Sequence, residues 1–280
     1  MTRLVPEGEA HYFSPLGECM YCGAKYGLSD EHLIPYALWG NMVLPKSSCE
    51  ACAAITSKVE LKVLRGFMHA ARIVGGSPTR RKNRRPETLK QNLILQDEAV
   101  ISRDIRINEV AGILILPVLV RAGIMAGRAP SSGVTVMATE SLNFGKSIAD
   151  MLSTQDAIGL EGVSQIDTMS FARLLAKIAY GFTVAEEGLF PRDESPVLPL
   201  ILGQTGDATN WVGSSSGPTP PNPKARHTVQ VLPLNGNDGS TGAGVKLRLF
   251  ANSGCTGYEI AVRIPKWREY ATQQFVAADI

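Results

Sequence analysis

The sequence predicts an α+β protein with a metal-braced unit near its amino end, and three observations support this prediction. Two Cys-x-x-Cys pairs stand 26 residues apart. The segment after the second pair has apolar residues every three or four positions, which is the period of a helix. Most of the remaining chain alternates short apolar runs with turn residues, as antiparallel strands do.

The cysteines Cys19, Cys22, Cys49 and Cys52 predict one structural Zn²⁺ ion. Cysteine pairs in a reducing compartment persist as thiolates on a metal rather than as disulfides. Four thiolates from two tight turns can surround one tetrahedral zinc, and such a closed site contributes folding energy without performing chemistry. The plainest interpretation is a zinc ribbon that only braces a small domain.

The composition excludes a disordered tail and a membrane-spanning protein. Of the 280 residues, 44% are hydrophobic and 19% are charged, which suffices for a sizeable core. The longest apolar run, residues 110–120, is shorter than the roughly 20 residues that a membrane helix needs. Pro6 and Glu7 interrupt the first residues, so they do not read as a signal peptide. We expect a cytoplasmic protein with no membrane partner.

Positive charge is concentrated at the cysteine end of the chain. Residues 1–90 hold 13 Lys and Arg against 8 Asp and Glu, whereas the rest of the chain has a small acidic excess. This surplus includes a basic run whose cations are Arg80, Arg81, Lys82, Arg84 and Arg85. The run is either an ordinary solvated loop or a site that grips a polyanion.

A long helix is predicted after the second cysteine pair. Its apolar residues recur at helical spacing over residues 48–73, and Gly75 and Gly76 end it. Ser47 and Glu50 fit a capping box, in which each side chain bonds a backbone N–H group at the start of the helix.

The remaining elements follow from the same patterns. Short strands are predicted between residues 90 and 138, and an amphipathic helix with an apolar stripe is predicted over residues 170–188. Residues 191–224 are rich in Pro, Gly and Ser, and residues 213–221 within them indicate a long flexible loop. Antiparallel strands packed beside the helix are predicted at 228–232, 246–251 and 258–264. We therefore expect three parts: residues 1–75, a basic linker 76–90, and an α+β region 91–280 that ends in an antiparallel sheet.

The loop between the cysteine pairs carries residues that are typical of hydrolytic sites. Asp30, Glu31 and His32 are consecutive and are followed by Leu-Ile-Pro, then by Gly40 and Asn41. A carboxylate can hold a divalent cation, and an imidazole of near-neutral pKa can take a proton from water. A histidine beside an acid at the end of a strand is thus suited to metal-dependent phosphodiester hydrolysis.

Together these motifs resemble the HNH endonucleases, in the subgroup whose ββα-metal finger is braced by a four-cysteine zinc site. The resemblance covers residues 19 to about 65 and rests on the two cysteine pairs, Asp-Glu-His-Leu-Ile-Pro, Gly-Asn and Leu-Pro. It implies that His32 is the general base and that Glu31, with Asp30 as a further candidate, holds a catalytic Mg²⁺ or Mn²⁺ ion. It also implies that Asn41 steadies the loop and the base.

The sequence departs from the family pattern at the second catalytic-metal ligand. The family commonly has Asn directly after the last cysteine, or His on the next turn, and this chain has Ala53 and Ser57 there. Asp30 or Glu60 is a candidate substitute, although a plain solvent-facing charge also explains Glu60.

The expected function is a metal-dependent endonuclease that acts on nucleic acid, with DNA as the first candidate and the basic run gripping its phosphates. One alternative is a zinc-dependent nucleic-acid-binding protein with an inactivated HNH site. Another is a structural zinc protein that acts through protein partners. For residues 91–280, substrate positioning, assembly into a homo-oligomer and partner binding stay open.

Overall fold

The computed structural model describes residues 3–5, 8–79, 83, 85–162, 165–216, 220–236, 239–272 and 275–277. Over these residues the protein is a mixed α+β structure with five α-helices and four sheets. No helix within the described ranges is long and apolar enough to cross a membrane.

The helices are α1 (Glu50–Arg65), α2 (His69–Val74), α3 (Ile148–Thr154), α4 (Thr168–Glu187) and α5 (Val197–Leu202). The strands are β1 (Arg3–Val5), β2 (His11–Tyr12), β3 (Leu28–His32), β4 (Met42–Cys49), β5 (Thr88–Leu95), β6 (Val100–Arg106), β7 (Ala111–Leu119), β8 (Val136–Gly145), β9 (Ala157–Glu161), β10 (Val212–Ser214), β11 (His227–Gly236), β12 (Thr241–Arg248), β13 (Tyr258–Arg263) and β14 (Phe275–Ala277).

The amino-terminal unit consists of β2, β3, β4 and α1. Strand β4 lies between β2, which is parallel to it, and β3, which is antiparallel. Helix α1 begins directly after β4 and buries Val59, Val63 and Leu64. The cysteine-containing segment is therefore ordered as strand, strand and helix, with one cysteine pair before β3 and the other at the junction of β4 and α1.

The predicted helix over residues 48–73 is wrong in one respect, because the chain forms two helices. The break is at Gly66, where φ is −83° and ψ is −126°, and a Cβ atom there would lie 2.4 Å from the Lys62 carbonyl oxygen. The predicted capping box is also wrong. Ser47 is a buried residue of β4 and donates to the Leu44 carbonyl at 2.7 Å, and the residue that caps α1 is Cys49.

Helix α4 confirms the prediction over residues 170–188 and lies at the centre of the molecule. Its first turn is capped by Asp167, whose carboxylate accepts from the Ser170 N–H at 2.8 Å. It contacts α1 and α5 on one side and β11, β12 and β13 on the other. Consequently most of its circumference is buried, including Lys177, which lies outside the apolar stripe seen in the sequence.

The carboxyl-terminal antiparallel sheet is also confirmed. Its strands run in the order β1, β11, β12, β13 and β10, and β14 also pairs with β11. The predicted loop over residues 213–221 overlaps β10 at Gly213 and Ser214, and its residues 217–219 lie outside the described part of the chain. Helix α5 and strand β10 were not predicted within the Pro-, Gly- and Ser-rich segment 191–224. Their short apolar runs are masked by the surrounding Pro, Gly and Ser.

Strands β5 to β9 form two further small sheets, one of β6, β5 and β9 and one of β7 and β8. Strand predictions at residues 93–95 and 113–116 are confirmed, whereas α3 was not predicted. Leu93, Ile105 and Met151 belong to a small separate core there. The main core runs from Cys19 to Ile264 and joins the amino-terminal unit to α4 and the last sheet. The three-part division of the chain stays a prediction.

Candidate functional site

The four predicted cysteines converge on one point. Cys19 and Cys22 lie in the turn before β3, Cys49 ends β4, and Cys52 is in the first turn of α1. Their sulfur atoms all lie within 4.8 Å of one another, and Cys22 Sγ is 3.5 Å from Cys49 Sγ. Around a tetrahedral zinc with Zn–S distances of about 2.3 Å, sulfur atoms stand roughly 3.8 Å apart. The cluster is therefore positioned to hold one metal ion, and its all-sulfur donors are consistent with structural Zn²⁺.

The backbone of the first turn brings both of its thiols to the cluster, where Cys19 is buried and Cys22 is exposed. The Gly23 N–H donates to the Cys19 carbonyl at 2.8 Å, and the Cys19 N–H donates to Ala24 at 2.7 Å. Gly23 has φ of +81°, a left-handed conformation that glycine adopts without strain. The side chain of Arg192 lies against it, so a Cβ at this position would meet the guanidinium at 2.9 Å.

The start of α1 favours the thiolate form of Cys49. The backbone N–H of Cys52 donates toward Cys49, and this hydrogen bond, with support from the other three thiols, lowers the pKa of Cys49 to about 7. A thiolate at a helix N-terminus is a common result of this geometry. Burial raises the pKa of the Cys22 and Cys52 thiols, so Cys49 loses its proton more readily than these two members of the cluster.

Two residues far along the chain brace the first turn. Tyr180 of α4 donates its hydroxyl to the Met20 carbonyl at 2.7 Å and stacks its ring on Tyr21. Arg192 pairs with Glu18 at 2.5 Å and also donates to the Cys19 carbonyl. These contacts were not predicted, because no local spacing links residues 180 and 192 to the cysteines.

The acid and the histidine of the motif face different sides of β3. Asp30 is exposed, Glu31 is buried and His32 is half-buried, as expected where neighbouring side chains alternate across a strand. Asp30 lies in an irregular register between Ser29 and Glu31, and its carboxylate accepts from the Lys46 N–H at 3.1 Å. Asp30 is therefore directed away from Glu31 and toward β4.

Glu31 meets a buried lysine. Lys177 Nζ lies 2.5 Å from Glu31 Oε1 and 2.6 Å from Glu60 Oε1, and it also donates to the His32 carbonyl at 2.9 Å. The lysine side chain is only 3% exposed. Burial acts to lower its pKa, but the two carboxylates outweigh burial and raise the pKa of Lys177 above its ordinary value. The ammonium therefore stays charged, whereas at Glu31 burial outweighs the lysine and raises the pKa of the carboxyl.

This arrangement does not fit the catalytic divalent ion that the family resemblance implies. Glu31 and Glu60 do converge, as the sequence allowed, but the lysine ammonium takes up the space between their oxygens. Ala53, at the position of the family's second ligand, is a half-buried residue of the first turn of α1 and offers no side-chain donor. The role of Glu31 and Asp30 as metal ligands stays a prediction.

His32 is the last residue of β3. Its ring lies edge-on to the ring of Tyr36, with the centroids 5.8 Å apart. The side chain is neither fully buried nor fully exposed. It thus stands at the border between the sheet and solvent, on the connection that leads to β4.

Asn41 lies at the other end of that connection and joins it to the amino-terminal segment. Its Nδ2 donates to the Glu9 carbonyl at 3.0 Å, and its own carbonyl accepts from His11 at 2.8 Å. Gly40 makes the approach feasible, because a Cβ atom there would lie 1.9 Å from the Ile34 carbonyl oxygen. These bonds agree with a role for Asn41 in holding the loop.

Most of the basic run lies outside the described residues. This applies to Arg80, Arg81, Lys82 and Arg84. Arg85 is described, and its guanidinium donates to the Ser77 carbonyl, which closes the base of the loop between α2 and β5.

Comparisons of the chain with protein-family models, with curated proteins and with solved structures find no match. The resemblance to the HNH endonucleases therefore rests on the residues between and around the cysteine pairs. Among the predicted site residues, the four cysteines are the set that geometry brings together as expected.

Proposed function

We propose that the chain is an endonuclease of the HNH kind that hydrolyses phosphodiester bonds in nucleic acid, with DNA as the first candidate. The observation that supports it best is the succession of β3, β4 and α1 around the cysteine cluster, with His32 at the end of β3. This is the order that a ββα finger requires. A sulfur-bound metal would join the turn before β3 to the junction of β4 and α1.

His32 carries the chemistry in this proposal. An imidazole has an ordinary pKa near 6.5, so at neutral pH it can accept the proton of a water that attacks phosphorus. Asn41 holds the connection between β3 and β4 through its bonds to the amino-terminal segment. No step is assigned to Glu31, because its carboxylate is engaged by Lys177.

Binding of the polyanion is assigned to the basic end of the chain. The cations of the run are Arg80, Arg81, Lys82, Arg84 and Arg85. Contacts to phosphates release counterions, so the affinity should fall steeply as salt rises. Neutralising these five side chains should reduce both the affinity and its salt dependence, whereas a purely structural zinc protein predicts no change.

A second function, nucleic-acid binding without cleavage, is favoured by two specific observations. Ala53 replaces the family's second ligand, and Lys177 pairs with Glu31, which the family uses to hold its ion. Both functions predict bound zinc and salt-dependent binding, so only cleavage separates them.

Supercoiled plasmid with Mg²⁺ or Mn²⁺ provides the test. The endonuclease proposal expects nicking by the wild type and a loss of about 100-fold or more in His32→Ala, the usual scale for a general base. His11→Ala is the matched control, because His11 is exposed in β2 of the same sheet. An absence of wild-type nicking, or equal nicking by the two variants, overturns the endonuclease proposal. Retained salt-sensitive binding would then support the second function.

A further inference from the structure

We propose that Lys177 is a built-in cation in a two-carboxylate site, so that a divalent ion can reach Glu31 and Glu60 only by displacing it. This inference deepens the proposed function, because it names what controls the cation at that site. It does not require cleavage to occur, since it concerns the binding of an ion to the free protein.

The oxygen atoms around the ammonium are those that a hard divalent ion would use. They are two carboxylate oxygens and one backbone carbonyl oxygen, from Glu31, Glu60 and His32, at 2.5 to 2.9 Å from Nζ. Mg²⁺ and Mn²⁺ bind carboxylate and carbonyl oxygens in preference to other ligands. The same three oxygens cannot surround both cations at once.

The charges also fit an exchange of cations. Two carboxylates with one ammonium leave a net negative charge in a largely buried place, with side-chain exposures of 11% for Glu31 and 22% for Glu60. Without the ammonium, two like charges would stand together away from water, which is unfavourable unless another cation joins them.

A buried hydroxyl next to the cluster gives an independent indication of an additional occupant. The hydroxyl of Tyr21 is buried and makes no hydrogen bond within the described part of the chain. The ring of Tyr21 stacks on that of Tyr180, which lies one helical turn after Lys177 on α4. A hydrated ion between the carboxylates would offer this hydroxyl an oxygen partner.

The three partners come from separate elements, so replacing the lysine removes no hydrogen bond that β3 and α1 make with each other. Glu31 is in β3, Glu60 is in α1, and Lys177 extends from α4. Lys177→Met keeps the length and the apolar stem of the side chain while it removes the charge. This variant should expose the carboxylate pair to an added ion.

Mn²⁺ binding to the zinc-loaded full chain tests the proposal, with free Mn²⁺ followed by electron paramagnetic resonance and no nucleic acid present. We expect Lys177→Met to bind one additional Mn²⁺ at least tenfold more tightly than the wild type. The double variant Lys177→Met with Glu60→Gln should lose that gain. Lys58→Met, which removes an exposed cation of α1, should behave like the wild type.

Two results would overturn the proposal. One is a Lys177→Met variant, folded by circular dichroism and zinc content, that binds Mn²⁺ no more tightly than the wild type. The other result needs no lysine variant. It is that the wild-type protein binds Mn²⁺ with micromolar affinity and that Glu60→Gln leaves this affinity unchanged. Failure of the endonuclease proposal has a different signature, since Lys177→Met would then gain Mn²⁺ binding while plasmid nicking stays absent.

Discussion

The chain builds two cation-holding clusters on the same β3, β4 and α1 elements, and they differ in where their members come from. The sulfur cluster takes all four members from 34 residues of sequence, between Cys19 and Cys52. The carboxylate cluster takes Glu31 and Glu60 from the same unit, but its cation is Lys177 of α4. The first cluster is thus a property of the amino-terminal unit, whereas the second exists only because α4 docks against that unit.

Removal of one sulfur should have the largest effect of any change considered. Cys52→Ser is expected to abolish stoichiometric zinc binding and to unfold the amino-terminal unit, because structural zinc contributes binding free energy on the order of 10 kcal/mol. Zinc content by atomic absorption and thermal melting by circular dichroism would measure both effects.

Cys255→Ser is the matched control for the sulfur cluster. Cys255 is buried too but lies outside the cluster, so its replacement should leave one zinc per chain. Full zinc retention in Cys52→Ser would show that the sulfur atoms do not act as one site.

The second-largest effect should come from the carboxylate cluster. Lys177→Met leaves two carboxylates without their buried counter-charge, and such a loss costs about 4 kcal/mol of the free energy of unfolding. Urea denaturation of the zinc-loaded protein, in buffer without other divalent ions, would measure it, with the exposed Lys58→Met as control. Unchanged stability together with retained zinc would mean that the ion pair contributes nothing net, and the docking of α4 would then not depend on the carboxylate cluster.

The difference between the clusters also explains what could be predicted from the sequence. The cysteine spacing defines local turns, and turns of that length fix where the sulfur atoms lie. The helix over residues 170–188 could be predicted equally well, because its pattern of apolar residues depends only on neighbours three and four positions away. Both predictions are confirmed.

Lys177 could not be predicted, because nothing in its neighbourhood indicates its partner. Its place off the apolar stripe suggests a solvent-facing charge, yet α4 is enclosed by α1, α5 and the last sheet. The burial of Glu31 was missed for a related reason: the resemblance assigned a role to the carboxylate without fixing which face of β3 it occupies. The break at Gly66 depends on tertiary packing that a helical pattern does not contain.

His227 provides a test of how the last sheet holds the connection between β3 and β4. Its Nδ1 accepts from the Phe250 N–H at 3.3 Å, so Nε2 carries the proton and donates to the Leu38 carbonyl at 2.6 Å. Burial, with a further contribution from Arg226, lowers the pKa of His227 to about 4.

The consequence is a stability that falls with acid. Between pH 6.5 and pH 4 the unfolded chain binds a proton at this histidine and the folded chain does not. The free energy of unfolding should therefore drop by about 3 kcal/mol as pH falls through this range. Urea titrations at several pH values would measure the slope, and His227→Gln should flatten it. An equally steep slope in that variant would assign the acid sensitivity to other groups.

The smallest expected effect tests whether the contact from Tyr180 only stabilises the fold or is also required for zinc binding at the sulfur cluster. Tyr180 lies one helical turn after Lys177 on α4 and donates to the Met20 carbonyl, between the first two cysteines. Tyr180→Phe removes one neutral hydrogen bond and keeps the ring on Tyr21, so it should cost about 1 kcal/mol in urea denaturation. Zinc content should stay at one per chain, because all four sulfur atoms come from residues 19–52 and none comes from α4. If zinc were lost instead, the sulfur cluster would depend on α4 as the carboxylate cluster does, and the contrast between a local and a long-range cation site would no longer hold.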